Sequence, residues 1–308
     1  MADRFERKLA ILHKIETTYA TDITPGTVDA MIASNVTFSP MEGEDAPRDL
    51  ILPHLGSQGI ILAGIYARLE FNIEIAGAGA AGTVPRYGSL LRICGFSETV
   101  TAATDVTYEI IEDDVDSGSI YFVMDKVRHV LLGSRGTVAK TYNAKGIPQY
   151  RFNLMGLLGT ISDQTNPAVS AAGLIKPLPV SKANTVLTLH GWTSVAESLS
   201  IDLGNTVTPR FLIGEEEIKI TNRQSTGTAV LKATSLATIN WFAIAQARTR
   251  AALSIVHGTT AGNIVEITAP EVEIGRPTQG ATDGIVNYSL PLMLCPDTGL
   301  DEMKIVVR

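Results

Sequence analysis

The run Gly77-Ala78-Gly79-Ala80-Ala81-Gly82 has the spacing G-x-G-x-x-G. Behind a parallel strand and at the head of a long helix, such glycines let backbone amides approach a pyrophosphate. The flanking residues do not supply that setting. Upstream, apolar residues alternate with Glu70 and Glu74, whereas a strand inside a parallel sheet is apolar on both faces. Pro85 and Gly88 interrupt the stretch where the helix would run, and no βαβ alternation follows. The motif reads as a flexible strand-to-helix connection, and a dinucleotide-dependent enzyme is kept as a remote alternative.

The other residues able to do chemistry lack partners. His13, His54, His129, His190 and His257 are scattered among non-acidic neighbours, with no nucleophile or orienting carboxylate at a recognisable spacing. Asp113-Asp114 and Glu215-Glu216-Glu217 are short acidic runs, too few in oxygen ligands to hold a hard cation alone. The stretch from Asp297 to Asp301 lacks EF-hand spacing. Cys94 and Cys295 form no C-x-x-C pair and have no histidine at ligand spacing, so both read as small packed hydrophobes. The expectation is no catalytic residue, no cofactor and no metal.

Composition narrows the class further. The 308 residues have room for two domains, and only 19% are charged against about 25% in typical soluble proteins. Together with a mean hydropathy of +0.17, that deficit suggests a surface largely covered by partners. The net charge of −7 argues against gripping nucleic acid through its phosphates. The N-terminal MADRFERKLAILHK carries no secretory pattern, and no apolar run approaches the roughly 20 residues of a membrane span. A reducing, cytoplasm-like compartment is expected.

Period-two alternation dominates the chain. Leu69, Phe71, Ile73 and Ile75 alternate with Glu70, Asn72 and Glu74. Tyr150, Phe152 and Leu154 alternate with Arg151 and Asn153, and Leu199, Ile201 and Leu203 with Ser200 and Asp202. Ile218 and Ile220 alternate with Glu217 and Lys219, and Val286, Tyr288 and Leu290 with Asn287 and Ser289. Each run reads as a strand with one buried and one wet face. Gly77, Gly133, Gly146, Gly204-Asn205, Gly262-Asn263 and Asp283-Gly284 read as turns. Helices are expected over Arg4–Thr17, Pro85–Cys94 and Leu236–Arg250.

The proline-bearing stretch around 162–181 reads as an interdomain linker. The order of elements is similar on its two sides, which predicts two copies of one β-sheet-plus-helix domain, 1–165 and 183–308, joined by 166–182.

On these elements the residues resemble a family. Arg86-Tyr87-Gly88-Ser89-Leu90-Leu91-Arg92-Ile93-Cys94-Gly95-Phe96 resembles the P-x-[WY]-G-x-L-L-[RK]-A-C-G-[FL] segment of phage tail tube proteins, with Ile93 where that pattern often has Ala. Gly133-Ser134-Arg135-Gly136-Thr137 resembles their G-[AC]-R-G-[TS] element, and Phe152 to Gly159 their closing strand. Glu16 to Ala20, Pro25 and a strand from Ile32 to Phe38 are similar to the family's opening. The second half is more loosely similar to longer members.

The resemblance implies a mainly β chain of two sandwich or half-barrel domains, each flanked by an α-helix. Such domains join into rings, and rings stack into the virion's tail tube, which conducts DNA and meets other tail proteins at its ends. Two domains per chain imply homotrimeric rings with pseudo-six-fold symmetry; the alternative is a homohexamer with one half of each chain at the bore. The protein would be made in the bacterial host's cytoplasm. A distal tail protein or a contractile-system inner tube, and more remotely a β adhesion or carbohydrate-binding module, are the competing readings.

Two residue sets follow as expectations. The wet strand faces offer lumen-facing candidates Glu70, Asn72, Glu74, Ser200, Asp202, Glu217, Lys219, Asn287 and Ser289, giving a polar, net-acidic bore; the alternative is that they face outside solvent. The segment 40–63 sets Leu50, Leu52, Leu55, Ile60 and Ile61 among turn formers, which predicts a ring-stacking contact. A long hairpin folded over its own domain is the alternative there.

Overall fold

The computed structural model describes residues 3–171 and 174–308 and is mainly β, with every pairing between its named strands antiparallel. Before the linker come β1 (Leu9–Ile15), β2 (Ala30–Met31), β3 (Ser34–Pro47), β4 (Ile60–Glu74), α1 (Gly88–Arg92), β5 (Thr99–Thr101) and β6 (Asp105–Glu109). They are followed by β7 (Gly118–Met124), β8 (Val127–Asn143), β9 (Gln149–Leu158) and β10 (Ser162–Asp163). After it come β11 (Thr185–Leu189), β12 (Trp192–Ser194), β13 (Ala196–Asp202), β14 (Asn205–Leu212), β15 (Glu215–Arg223) and β16 (Thr226–Lys232). The chain ends with α2 (Trp241–Ala247), β17 (Arg250–His257), β18 (Val265–Ile274), β19 (Thr278–Thr282), β20 (Ile285–Cys295) and β21 (Lys304–Val307).

Seven strands lie side by side in the order β3, β4, β9, β8, β13, β16, β20. An eighth, interrupted strand borders β20. Its parts are Glu271–Ile274 of β18, opposite Leu292–Cys295, and β19, opposite Ile285–Ser289. The strands β8 and β13 join the sequence on either side of the linker, with Thr141 opposite Ser200. Alternation does the rest: Leu69, Phe71, Phe152, Leu154, Val138, Leu199, Ile201, Leu290 and Leu292 all point to one buried face.

A second layer covers that face. The start of β8 continues through β7 and β1 to β2. From β18 the sheet runs through β17 and β11 to β12, and through β21 and β6 to β5. One hydrophobic cluster fills the space between, with Phe71, Tyr108 and Phe152 from one side of the linker and Trp241, Ile267 and Ile305 from the other. The linker divides the strands along the chain, while sheet and core run through both halves.

The helix expected over Arg4–Thr17 is strand β1. Its Ala10, Ile11, Leu12 and His13 are all buried between β7 and β2, and a short run buried on both faces has no period to distinguish strand from helix. The Pro85–Cys94 helix is present as α1, with Leu90 and Leu91 fully buried. The Leu236–Arg250 helix shrinks to α2: Asn240 caps Ala243 N–H at 3.0 Å, Arg248 turns left-handed at φ 52°, and Arg250 already belongs to β17. Gly133 is no strand boundary. It lies inside β8 at φ +57°, facing the Tyr19 ring, where a bulge offsets the pairing with β9.

Candidate assembly surfaces

The eight-stranded sheet buries one face, so its other face is a single surface built from every second residue of each strand. On β4 that surface carries Arg68, Glu70, Asn72 and Glu74, and registration extends it outward from there. Glu70 stands opposite Asn153 and Thr37, and Asn72 opposite Arg151. Arg151 faces Ala139, which faces Asp202, which faces Thr226. Thr141 faces Ser200, then Thr228, then Pro291. Asn287 stands opposite Lys232 and Ser289 opposite Val230. Seven of the nine candidate lumen residues therefore share one face spanning both halves of the chain.

The face is polar and internally tied. The Glu70 carboxylate accepts from Arg151 Nη2 at 2.7 Å and from Asn153 Nδ2 at 3.1 Å. That partner raises the Arg151 pKa further above its ordinary value. Asn72 donates to Gln149 at 2.9 Å, and Asn287 donates to Glu197 at 3.1 Å and to Thr282 at 2.9 Å. Glu74, Ser200 and Asp202 are exposed and point outward.

Glu217 and Lys219 are not on that face. They lie on β15, which among the described residues pairs only with β14 in a separate two-stranded hairpin. Alternation marks a wet face but not the sheet to which it belongs. Glu217 is instead a tie-point: Arg135 Nη1 reaches its Oε1 at 2.7 Å and Lys219 Nζ its Oε2 at 3.1 Å. The same guanidinium donates to the carbonyls of Ile218 and Val115, both at 2.9 Å, holding the hairpin against β8.

The second surface is the end of the β3–β4 hairpin. Beyond Tyr66 β4 has no strand partner among the described residues on its β9 side, so the hairpin projects from the sheet. Leu50, Leu52, Leu55, Ile60 and Ile61 are all exposed there, as are Ile51 and Leu62. Phe211 of β14 packs against Gly64 and braces the stem from the side.

The glycine-rich loop 77–82 has a structural partner. Gly77 N–H donates to Asn263 Oδ1 at 2.7 Å and Gly79 N–H to the Gly262 carbonyl at 2.9 Å, and no long helix follows. Among the described residues no group of three or more His, Cys, Asp or Glu side chains is placed to hold a metal ion. Burial lowers the His13 pKa to about 3, and its Nδ1 lies 3.1 Å from Ser89 Oγ, a packed position behind α1. No helix among the described residues is long and apolar enough to cross a membrane.

A family profile described as phage tail tube protein matches residues 7–293. The chain belongs to the phage tail tube protein family. No curated protein matches it. As a tail tube protein it is a structural component of the virion tail, and family membership implies a non-enzymatic role. The two segments that carried the resemblance have visible work in this tail tube protein. Residues 86–96 form α1 and the turn behind it, with Gly136 N–H donating to the Ile93 carbonyl at 3.2 Å. Residues 133–137 provide the bulge and Arg135. Sequence reasoning had alternation to place Arg151 and Asn153 on a wet face, but only registration groups them with Thr226, Thr228 and Lys232 on β16.

Proposed function

We propose that the chain closes into rings of three, that the rings stack into a tube, and that the polar face of the eight-stranded sheet lines a bore through which DNA passes. The continuity of that face across both halves supports this reading more than any other observation. The sheet has open edges at β3 and at β19: among the described residues β3 bonds only to β4 and β19 only to β20. Open strand edges are templates for another chain. Setting β19 of one copy beside β3 of the next gives a head-to-tail contact that closes into a ring.

Strand number then fixes the bore. At about 4.8 Å per strand, twenty-four strands from three copies make a cylinder about 37 Å across between backbones, before tilt widens it. A lining of side chains about 5 Å deep leaves about 27 Å, enough for a duplex. Two copies would leave only about 14 Å, too narrow for a duplex, and six would leave roughly 63 Å. Each copy acts as two domains, 1–165 and 183–308, each giving four strands, so the ring has pseudo-six-fold symmetry. The hairpin ends carry the contact between rings, other tail proteins meet the tube ends, and synthesis is in the host cytoplasm.

Cryo-electron microscopy of tubes grown from the expressed chain tests this. Three chains per ring with Glu74, Ser200 and Ser289 at the lumen are expected. Six chains per ring, with one half of each at the lumen, would overturn the trimer. Single rings that never stack would favour a distal tail protein.

A further inference from the structure

The hairpin end and one groove lie at opposite ends of the same sheet. Registration sets Glu74 beside Gln149, Gln149 beside Thr141, and Asn143 beside Ser198 at one end. At the other end β4 leaves β9 after Tyr66–Leu157 and continues through Ile60–Ile65, an overhang of about 20 Å at about 3.3 Å per residue. At the first end a groove of about 540 Å³ opens between Tyr142 of β8, Val180 of the linker, Val186 and Leu187 of β11, and Val195 ahead of β13. Val186 and Val195 are exposed in the single chain.

Charge distinguishes this groove from the other large one. The hairpin carries Glu44, Asp45 and Asp49 against one arginine, Arg48, and none of the three carboxylates is in an ion pair among the described residues. The groove's rim carries Lys182, and exposed Lys145 follows Ala144, another lining residue. Its one carboxylate, Glu197, already accepts from Thr282 and Asn287. The groove between β6 and β18, of about 610 Å³, presents Asp301 and a Glu109 paired with Lys304 at 2.9 Å, a net-acidic lining that suits an acidic stem less well.

We propose that the apolar end of the β3–β4 hairpin, Ile51 and Leu55 foremost, seats in the Val186–Val195 groove of a second copy in the adjoining ring. The inference rests on the stacking reading above and adds the receptor. A projection at one end and its receptor at the other make a contact that repeats without closing, which is the geometry of a filament. It covers Ile51 and Leu55, both fully exposed in the single chain, with the groove whose exposed valines need cover.

The test uses the full chain with Ile51→Cys and Val195→Cys, the native half-buried thiol being removed by Cys295→Ser. Oxidation of assembled tubes should give a ladder of disulfide-linked chains, absent from dissociated subunits, because a disulfide needs Cα atoms within about 7 Å. In parallel, Lys145→Glu with Lys182→Glu should shorten tubes several-fold. Adding Asp45→Lys with Asp49→Lys should restore their length. If tubes grow normally without the ladder and Val195→Asp assembles unchanged, the groove is the wrong receptor while stacking survives. If Ile51→Asp also leaves tube growth unchanged, the hairpin end is not a stacking element, and both readings fall.

Discussion

Gly77 N–H donates to the side-chain oxygen of Asn263 at 2.7 Å, so a loop before the linker is fastened to a turn after it. A Cβ on Gly77 would collide with the Gly262 carbonyl oxygen, and one on Gly262 would sit 2.6 Å from Ala80 N. These glycines are spaced by the close approach of two backbones. Gly77→Ala should cost about 2–3 kcal/mol, the range for overpacking with the loss of this half-buried hydrogen bond. Chemical denaturation of the unassembled chain measures it, and an unchanged midpoint would remove the clasp from the account.

That clasp shows where the sequence was legible. A G-x-G-x-x-G run is visible to any reader, and its neighbours alone exclude the nucleotide setting. The reason Gly77 is needed lies about 185 residues away at Gly262-Asn263, a non-local contact that no window contains. The same limit governs the wet strand faces. Period two correctly separates Glu70, Asn72 and Glu74 from Leu69, Phe71 and Ile73, because burial acts on every second residue. Whether Glu217 shares their sheet depends on pairing, and pairing placed it on the β14–β15 hairpin. For β1 the failure is different. Burial on both faces erases the period, and tertiary pairing with β7 decides the conformation.

Arg135 shows what the G-[AC]-R-G-[TS]-like segment holds. Its guanidinium reaches Glu217, Ile218 and Val115 at once, with the Tyr19 ring 5.1 Å from its centre. Lysine is a point charge and cannot reproduce that fan of donors. Arg135→Lys should destabilise the chain by about 1–3 kcal/mol, through carbonyls left short of a partner. Hydrogen exchange should quicken across β14–β15 before it quickens in β4 or β9. Uniform quickening across all strands would mean that the arginine does not anchor the hairpin.

Lys140 gives the fold a pH signature. It is fully buried on the core face of β8, with Nζ 2.6 Å from Met303 Sδ. Desolvation by burial pulls its pKa down to about 7, against a smaller upward influence from Asp202 and then Cys94. The folded value lies below the unfolded one, near 10.4, so between them the unfolded chain binds the extra proton. Stability contributed by this group therefore rises with pH from about 7 upward, and below pH 7 the cost of the buried charge is present in full. Above about pH 8.5 Cys94 opposes it, since burial raises that thiol and the unfolded chain then loses a proton first. The clean window is about pH 6 to 8.5. Lys140→Met should stabilise the chain at pH 6 by a few kcal/mol, with the gain shrinking as pH rises through that window. A pH-independent difference between the two melting curves would show that the lysine is not neutralised by burial.

The last prediction concerns transport through the bore. A channel that passes a duplex quickly must not hold it, and every phosphate paired with Lys or Arg adds salt-sensitive affinity. On the face proposed to line the bore, Arg151 is answered by Glu70 at 2.7 Å, so changing Glu70 would disturb the fold as well as the field. Glu74 and Ser200 serve better. Both are exposed, and neither forms an ion pair among the described residues. Glu74→Lys with Ser200→Lys should leave tube assembly intact, while each ring gains a band of positive charge repeated along the whole tube. DNA release from particles carrying the double variant should slow several-fold at low salt and recover as salt is raised, because added salt reduces the gain from counterion release at each phosphate contact. Release that stays at the unmodified rate at every salt concentration would place these residues on the tube's outer wall.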